Sequence, residues 1–166
     1  MRILTAGAAA WLALAQVPDA SKLETLHLTA TTSVRDTRIV PGTRTSLVIE
    51  IAPKPKMHVY APQQDTYVPV SLTLTKSPAF RAHVPTFPKP EKYFFAPLKE
   101  TQLVYSEPFK IAMDVTFASA ATLRQLGIDP ATSLKIDGTL RYQACDDAIC
   151  YLPESRPVSW TIKLAK

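Results

Sequence analysis

The chain has 166 residues, 46% hydrophobic and 20% charged, which is the size and balance of one globular domain able to bury a core without disulfides. Its net charge of +5 is thinly spread, with no run of five or more basic residues, so neither nucleic-acid binding nor stable membrane attachment is supported. Fifteen prolines against four glycines argue against a flexible linker, and there is no internal repeat or low-complexity stretch.

The first fifteen residues have the form of a secretory leader. "MR" is a short basic start, "ILTAGAAAWLALA" is an apolar stretch of thirteen residues, and "ALA" fits a small-x-small cleavage site. Thirteen residues are too few to cross a bilayer, which takes about 20. Cleavage after Ala15 leaves residues 16–166 as one mature domain, placed in a compartment where cysteine pairs are redox-managed.

From residue 22 onward the hydrophobic period is two. "LETLHLTAT" places Leu26 and Leu28 on one face, and "TSLVIEIA" does the same for Leu47, Ile49 and Ile51. "MHVYA" is a shorter candidate strand. "VPVSLTLT" alternates through Val68, Val70, Leu72 and Leu74. "RAHVPTF" and "LVYSE" are short candidates, and "FKIAMDVTF" alternates through Phe109, Ile111, Met113, Val115 and Phe117. Residues 118–129, "ASAATLRQLGID", form the one helical stretch, with Gly127 as its stop. "SLKIDGTLRYQA" then buries Leu134, Ile136, Leu140 and Tyr142, and "PVSWTIKL" buries Val158, Trp160, Ile162 and Leu164. The prolines fall at strand ends or between strands. Seven to nine short strands predict an all-β fold, a two-sheet antiparallel sandwich of immunoglobulin-like type, with a barrel as its rival.

Both cysteines lie in "YQACDDAICYLPES", residues 142–155. Even positions of 134–142 face the core, so a strand continuing past Tyr142 puts Cys145 on the outer face with Arg141 and Gln143. The following strand can return antiparallel, placing Cys145 and Cys150 at the neck or tip of a hairpin. A core-crossing immunoglobulin bridge joins strands far apart in sequence, which this pair cannot do. A bond closing a loop of about six residues contributes roughly 2 kcal/mol, so it can open without unfolding the sandwich. The two aspartates between the cysteines oppose thiolate formation, while Arg141 and Arg156 can offset them. Three readings stay open on the residues alone: a structural hairpin staple, a redox pair, and part of a metal site. The third needs ligands from His27, His58, His83, Met57 and Met113, none at a recognisable spacing to the cysteines, and Met113 has core parity.

The segment "LRYQACDDAICYLPESRPVSWTIKL" resembles the cysteine segment of the N-terminal periplasmic domain of the thiol:disulfide interchange protein DsbD. The motif residues Tyr142, Gln143, Cys145, Asp147, Cys150, Tyr151, Pro153 and Glu154 fall in order, and weaker likeness runs from about residue 24 to the end through "MHVYAP", residues 93–95 and "LVYSEPF". The resemblance implies an immunoglobulin-like fold with no cofactor and no resident metal. It implies electrons received from a thioredoxin-like domain, itself reduced through a membrane electron carrier, and passed to periplasmic disulfide proteins such as isomerases and cytochrome c maturation thioredoxins. By the same carry-over, Cys150 forms the mixed disulfide with partners and Cys145 closes the intramolecular bond. Members also shield the disulfide with an aromatic cap, for which "EKYFFAP" offers Tyr93, Phe94 and Phe95. Tyr60 matches a family tyrosine near the cysteines, and His58 beside it reads as structural. The spacer is one residue shorter than in the best-known full-length members, and Leu152 stands where a proline is common. The chain ends at Lys166 with no membrane segment or thioredoxin-like domain, so the expectation is a free-standing periplasmic exchange module. The rival from another class is a non-enzymatic immunoglobulin-like binding module with a stapled hairpin and an aromatic partner patch.

Overall fold

The computed structural model describes residues 21–129 and 133–165. The expected secretory leader, residues 1–15, lies outside them. The chain folds as an immunoglobulin-like antiparallel β-sandwich. One layer is a five-stranded sheet in the order β1-β2-β3-β9-β6, formed by β1 (Lys22–Glu24), β2 (Leu28–Val34), β3 (Arg44–Pro53), β6 (Phe80–Ala82) and β9 (Phe109–Phe117). The facing layer has the order β12-β10-β5, formed by β5 (Ser71–Leu74), β10 (Ser133–Tyr142) and β12 (Glu154–Lys163). Where two sheets were expected there is a third, ordered β11-β4-β8-β7. It consists of β4 (His58–Tyr60), β7 (Glu91–Phe95), β8 (Glu100–Tyr105) and the two-residue β11 (Ala144–Cys145).

The period-two pattern is what builds the sandwich. Along β9, Phe109, Ile111, Met113, Val115 and Phe117 are all buried, and the same holds for Leu47, Ile49 and Ile51 on β3. These strands lie side by side with Ile49 opposite Ile111 and Leu47 opposite Met113. From the other layer come Ile136, Leu140, Val158, Trp160 and Ile162. Each fully buried aliphatic side chain of this kind contributes about 1.5–3 kcal/mol. Two polar links cross between the layers: Trp160 Nε1 donates to Val48 O at 3.0 Å, and Thr32 Oγ1 donates to Ser159 O at 2.8 Å. Gly138 is required where β10 passes β5, since a Cβ there would stand 2.6 Å from Thr73 O.

Three expectations change. Leu26 is 83% exposed, because Thr25 Oγ1 accepts from the backbone N–H groups of His27 and Leu28 and turns the chain before β2 begins. Pro157 lies inside β12, opposite Thr139, and is tolerated because β12 is the edge of its sheet. The helix is shorter than the predicted stretch. α1 spans Ala120–Gln125, capped by Ser119, whose hydroxyl accepts from Thr122 N, and it stops at Gly127 with φ of 73°.

Candidate functional site

The cysteines are positioned by a sheet switch. Strand β10 ends with Tyr142 paired to Glu154 of β12. Gln143 steps out of the ladder, and its side chain takes over the bonding there: Oε1 accepts from Val68 N at 3.1 Å and Nε2 donates to Tyr151 O at 3.0 Å. The chain then enters the third sheet as β11, with Ala144 opposite Val59 and Cys145 opposite His58 of β4. Alternation runs on across the break: Tyr142 and Ala144 lie in the main core and Cys145 on the opposite face, as parity predicts, but the third sheet covers that face, which corrects the solvent-facing position expected for Cys145. Its side chain is wholly buried, on the same face of the third sheet as His58 and Tyr60. Val59 and Ala144 point the other way, into the sandwich core.

Cys150 lies opposite Cys145 across a narrow hairpin, joined to it by a disulfide with Cα atoms 4.0 Å apart. Cys150 is only partly buried. The spacer between them is shaped by Asp146. Its Oδ1 accepts from Ala148 N and Ile149 N, both at 2.8 Å, and its Oδ2 accepts from the Tyr151 hydroxyl at 2.8 Å. These donors hold the Asp146 carboxyl below its ordinary range. Two backbone bonds close the hairpin, Asp146 N to Ile149 O and Tyr151 N to Ala144 O, each at 2.9 Å.

Tyr60 stands under the bond. It is wholly buried, with its hydroxyl 3.1 Å from both sulfurs. A disulfide carries no hydrogen, so the phenol is the donor. Burial, with Tyr67 and Glu100 adding to it, pushes the Tyr60 phenol well above its ordinary value, which keeps that proton in place. Tyr67 stacks on Tyr60 with ring centres 4.3 Å apart and donates to Glu100 Oε2 at 3.1 Å.

Of the aromatic trio proposed as a cap, one reaches the disulfide. Tyr93 is half-buried in the small cluster of Tyr60, Val104 and the two cysteines. Its hydroxyl donates to Asp147 Oδ1 at 2.7 Å, and that bond raises the phenol's pKa. Phe94 is 61% exposed, as alternation along β7 requires, while Phe95, on the same face of β7 as Tyr93, is buried outside this cluster. Tyr142 also lies away from the sulfurs, in the main core, with its hydroxyl donating to Thr25 Oγ1 at 3.0 Å. Arg156, expected as a counter-charge to the spacer aspartates, is engaged by Glu154 at 2.6 Å. Of the metal-ligand candidates, His27 bonds Glu154, His83 bonds Thr116 and Met113 is core, while His58 stands opposite Cys145. Among the described residues no three His, Cys, Asp or Glu side chains converge on a metal position.

Tyr67, Gln102, Asp146 and the bonding role of Gln143 were not singled out from sequence. Tyr67 and Gln102 come from a loop and a strand whose packing against Tyr60 is set by tertiary contacts. Asp146 followed by two residues and a cysteine carried a usable signal, since aspartate readily accepts from N–H groups two and three residues ahead.

Residues 26–161 match the family model described as "Thiol:disulfide interchange protein DsbD, N-terminal". The chain belongs to this family. The family is named for the N-terminal part of a thiol:disulfide interchange protein, and in the family this domain is periplasmic. No curated protein matches the sequence. Among solved structures, the chain is similar to the N-terminal periplasmic domain of ScsB from Proteus mirabilis, at TM-score 0.55 and 14% identity over 86% of this chain. It spans half of that chain's length, 50%. It is also similar to the DsbD N-terminal domain of Neisseria meningitidis in its reduced form, at TM-score 0.48 and 14% identity, covering 75% of this chain and 82% of that one. Among the described residues no helix is long and apolar enough to cross a membrane.

Proposed function

We propose that this domain relays electrons between a thioredoxin-like or membrane-linked reductase and periplasmic disulfide proteins, through reversible opening of the Cys145–Cys150 bond. Export by the leader at residues 1–15 would place it there. The observation that carries the reading is the asymmetry of the pair: Cys150 is partly open to solvent, and Cys145 is wholly buried beside a phenol proton.

A partner thiolate attacks Cys150 Sγ, and the electron pair of the S–S bond goes to Cys145 Sγ. A mixed disulfide joins partner and Cys150. A second partner thiolate then attacks the partner's own sulfur and Cys150 leaves, so the partner dithiol becomes a disulfide and this pair takes up two electrons and two protons. Delivery to a substrate disulfide runs these steps in reverse. Tyr60 donates a hydrogen bond to whichever sulfur carries charge. Tyr93, tied to Asp147, covers the cluster against small thiols.

The test is covalent trapping. Cys145→Ser, mixed with a thioredoxin-like protein that lacks its resolving cysteine and carries its remaining cysteine as the mixed disulfide with nitrothiobenzoate, is expected to displace nitrothiobenzoate and give a dithiothreitol-sensitive adduct at Cys150. Cys150→Ser is expected to give none. A native disulfide inert to excess dithiol, with no adduct from either variant, would leave the stapled binding module as the better account.

A further inference from the structure

His58 is a buried titratable group that the exchange steps above do not use. It is 2% exposed, and its Nε2 has no hydrogen-bond partner among the described residues. It is the residue directly opposite Cys145 in the β4–β11 pairing. Opposed residues of an antiparallel pair hold their Cβ atoms about 4.5–5.5 Å apart on one face. The imidazole is therefore a neighbour of the sulfur least able to exchange a proton with water. Tyr93 covers its other side, with ring centres 4.5 Å apart.

We infer that His58 is the proton carrier for Cys145, taking the thiol proton when Cys145 attacks the mixed disulfide and returning it when Cys145 leaves. This rests on the exchange reading above. In the closing step, the Cys145 S–H proton moves to the neutral imidazole and Cys145 Sγ bonds to Cys150 Sγ. The Cys150–partner bond breaks, and its electron pair leaves with the partner thiolate. In the opening step the imidazolium gives the proton to Cys145 Sγ as that sulfur takes the S–S electron pair. A wholly buried sulfur resists carrying charge, so a proton passed within the site removes the need for a bare buried thiolate.

The surroundings suit a base that is neutral at rest and tolerates brief protonation. Burial holds the His58 pKa below 6.5, while the carboxylates of Asp147, Asp146 and Glu91 act to raise it. Cys145 and Tyr60 face the ring from within the cluster, and Tyr93 from β7. On the outer side Lys54, Lys56 and Glu107 line the same cleft. Lys54 is 3.6 Å from Glu24, which draws off part of its charge.

The reduced protein mixed with dithiobis(nitrobenzoate) separates the steps. Attack by Cys150 releases one nitrothiobenzoate, and closure by Cys145 releases the second in a phase independent of reagent concentration. In the wild type the second phase is expected to level off at a pH well below the ordinary cysteine pKa of about 8.5. In His58→Gln it is expected to be about tenfold slower at pH 7 and to keep rising with pH, as loss of a positioned base predicts. Equal rates and equal pH profiles overturn the inference. Absence of a second phase in the wild type overturns the exchange reading itself, a different outcome. A measurement on the unmodified protein guards against a misfolded variant: His58 ring resonances are expected to titrate at different pH in the oxidised and reduced forms, and identical titrations overturn the proton-carrier role.

Discussion

In the sandwich interior, Trp160 is the largest wholly buried side chain, and its single polar atom donates to Val48 O at 3.0 Å. In the third sheet, the equally buried Tyr60 directs its hydroxyl at two sulfurs, and the buried His58 on the same strand has a ring nitrogen with no hydrogen-bond partner among the described residues; the buried Gln102 amide lies beside Tyr60. Both are aromatic residues in strands. The first closes a core of apolar side chains in which no buried side-chain nitrogen or oxygen lacks a partner among the described residues. The second belongs to a small cluster where sulfur, phenol, imidazole and amide are packed together with bonding capacity left over. On the exchange reading proposed above, stability resides mainly in the first region and reactivity in the second, because a site that must pass through a charged or covalently altered state cannot be closed as completely as a core.

Substitutions in the two regions should separate these roles. The largest effect is expected from Trp160→Ala, a loss of about 3–5 kcal/mol in urea unfolding; the fraction that remains folded should still exchange at the wild-type rate, and a slower rate there would show the regions to be coupled. Next is the double replacement of Cys145 and Cys150 by serine, which removes a loop constraint of about six residues and should lower stability by only about 2 kcal/mol, leaving the circular dichroism spectrum unchanged. Tyr60→Phe deletes the donor to both sulfurs. It should slow reduction by dithiothreitol about tenfold, a barrier change of about 1.4 kcal/mol, while moving the urea midpoint by no more than about 1 kcal/mol of stability.

The smallest effect is a pH dependence. The folded pKa of His58 lies below its unfolded value of 6.5, so between the two the unfolded chain binds more protons and stability falls as pH drops below 6.5. Urea midpoints at pH 7.5 and 5.5 should differ less in His58→Gln than in the wild type. An unchanged difference would mean that other groups set the acid sensitivity.

Sequence pattern reached the sandwich because strands such as β3, β9, β10 and β12 obey period two without interruption, so burial follows from position alone. It fell short where burial comes from a second layer. Parity runs on through Gln143, with Leu140, Tyr142 and Ala144 in the main core and Cys145 on the other face, but no local pattern says that the third sheet covers that face and buries the sulfur. The bonds of Gln143, to Val68 and Tyr151, come from a loop far in sequence and from beyond the cysteines. Leu26 was misplaced because one threonine hydroxyl replaced a strand with a turn. The cysteine pair and Tyr60 were legible through the family motif, whereas the choice of Tyr93 over Phe94 and Phe95 needed the register of β7 against β8 to be known.

The Asp146 clamp has a consequence for the open form of the site. None of its three hydrogen bonds, nor the two backbone bonds beside it, involves a sulfur. Breaking the disulfide therefore leaves the hairpin with its own reasons to keep its shape, and the two thiols remain neighbours. Their effective molarity toward each other stays far above that of any thiol in solution, so the pair re-forms readily once an acceptor is available, which on the proposed exchange reading suits the reduced domain to donate electrons. Because the Asp146 carboxyl is held below its ordinary range, this arrangement persists at neutral pH and loosens only when acid protonates the clamp.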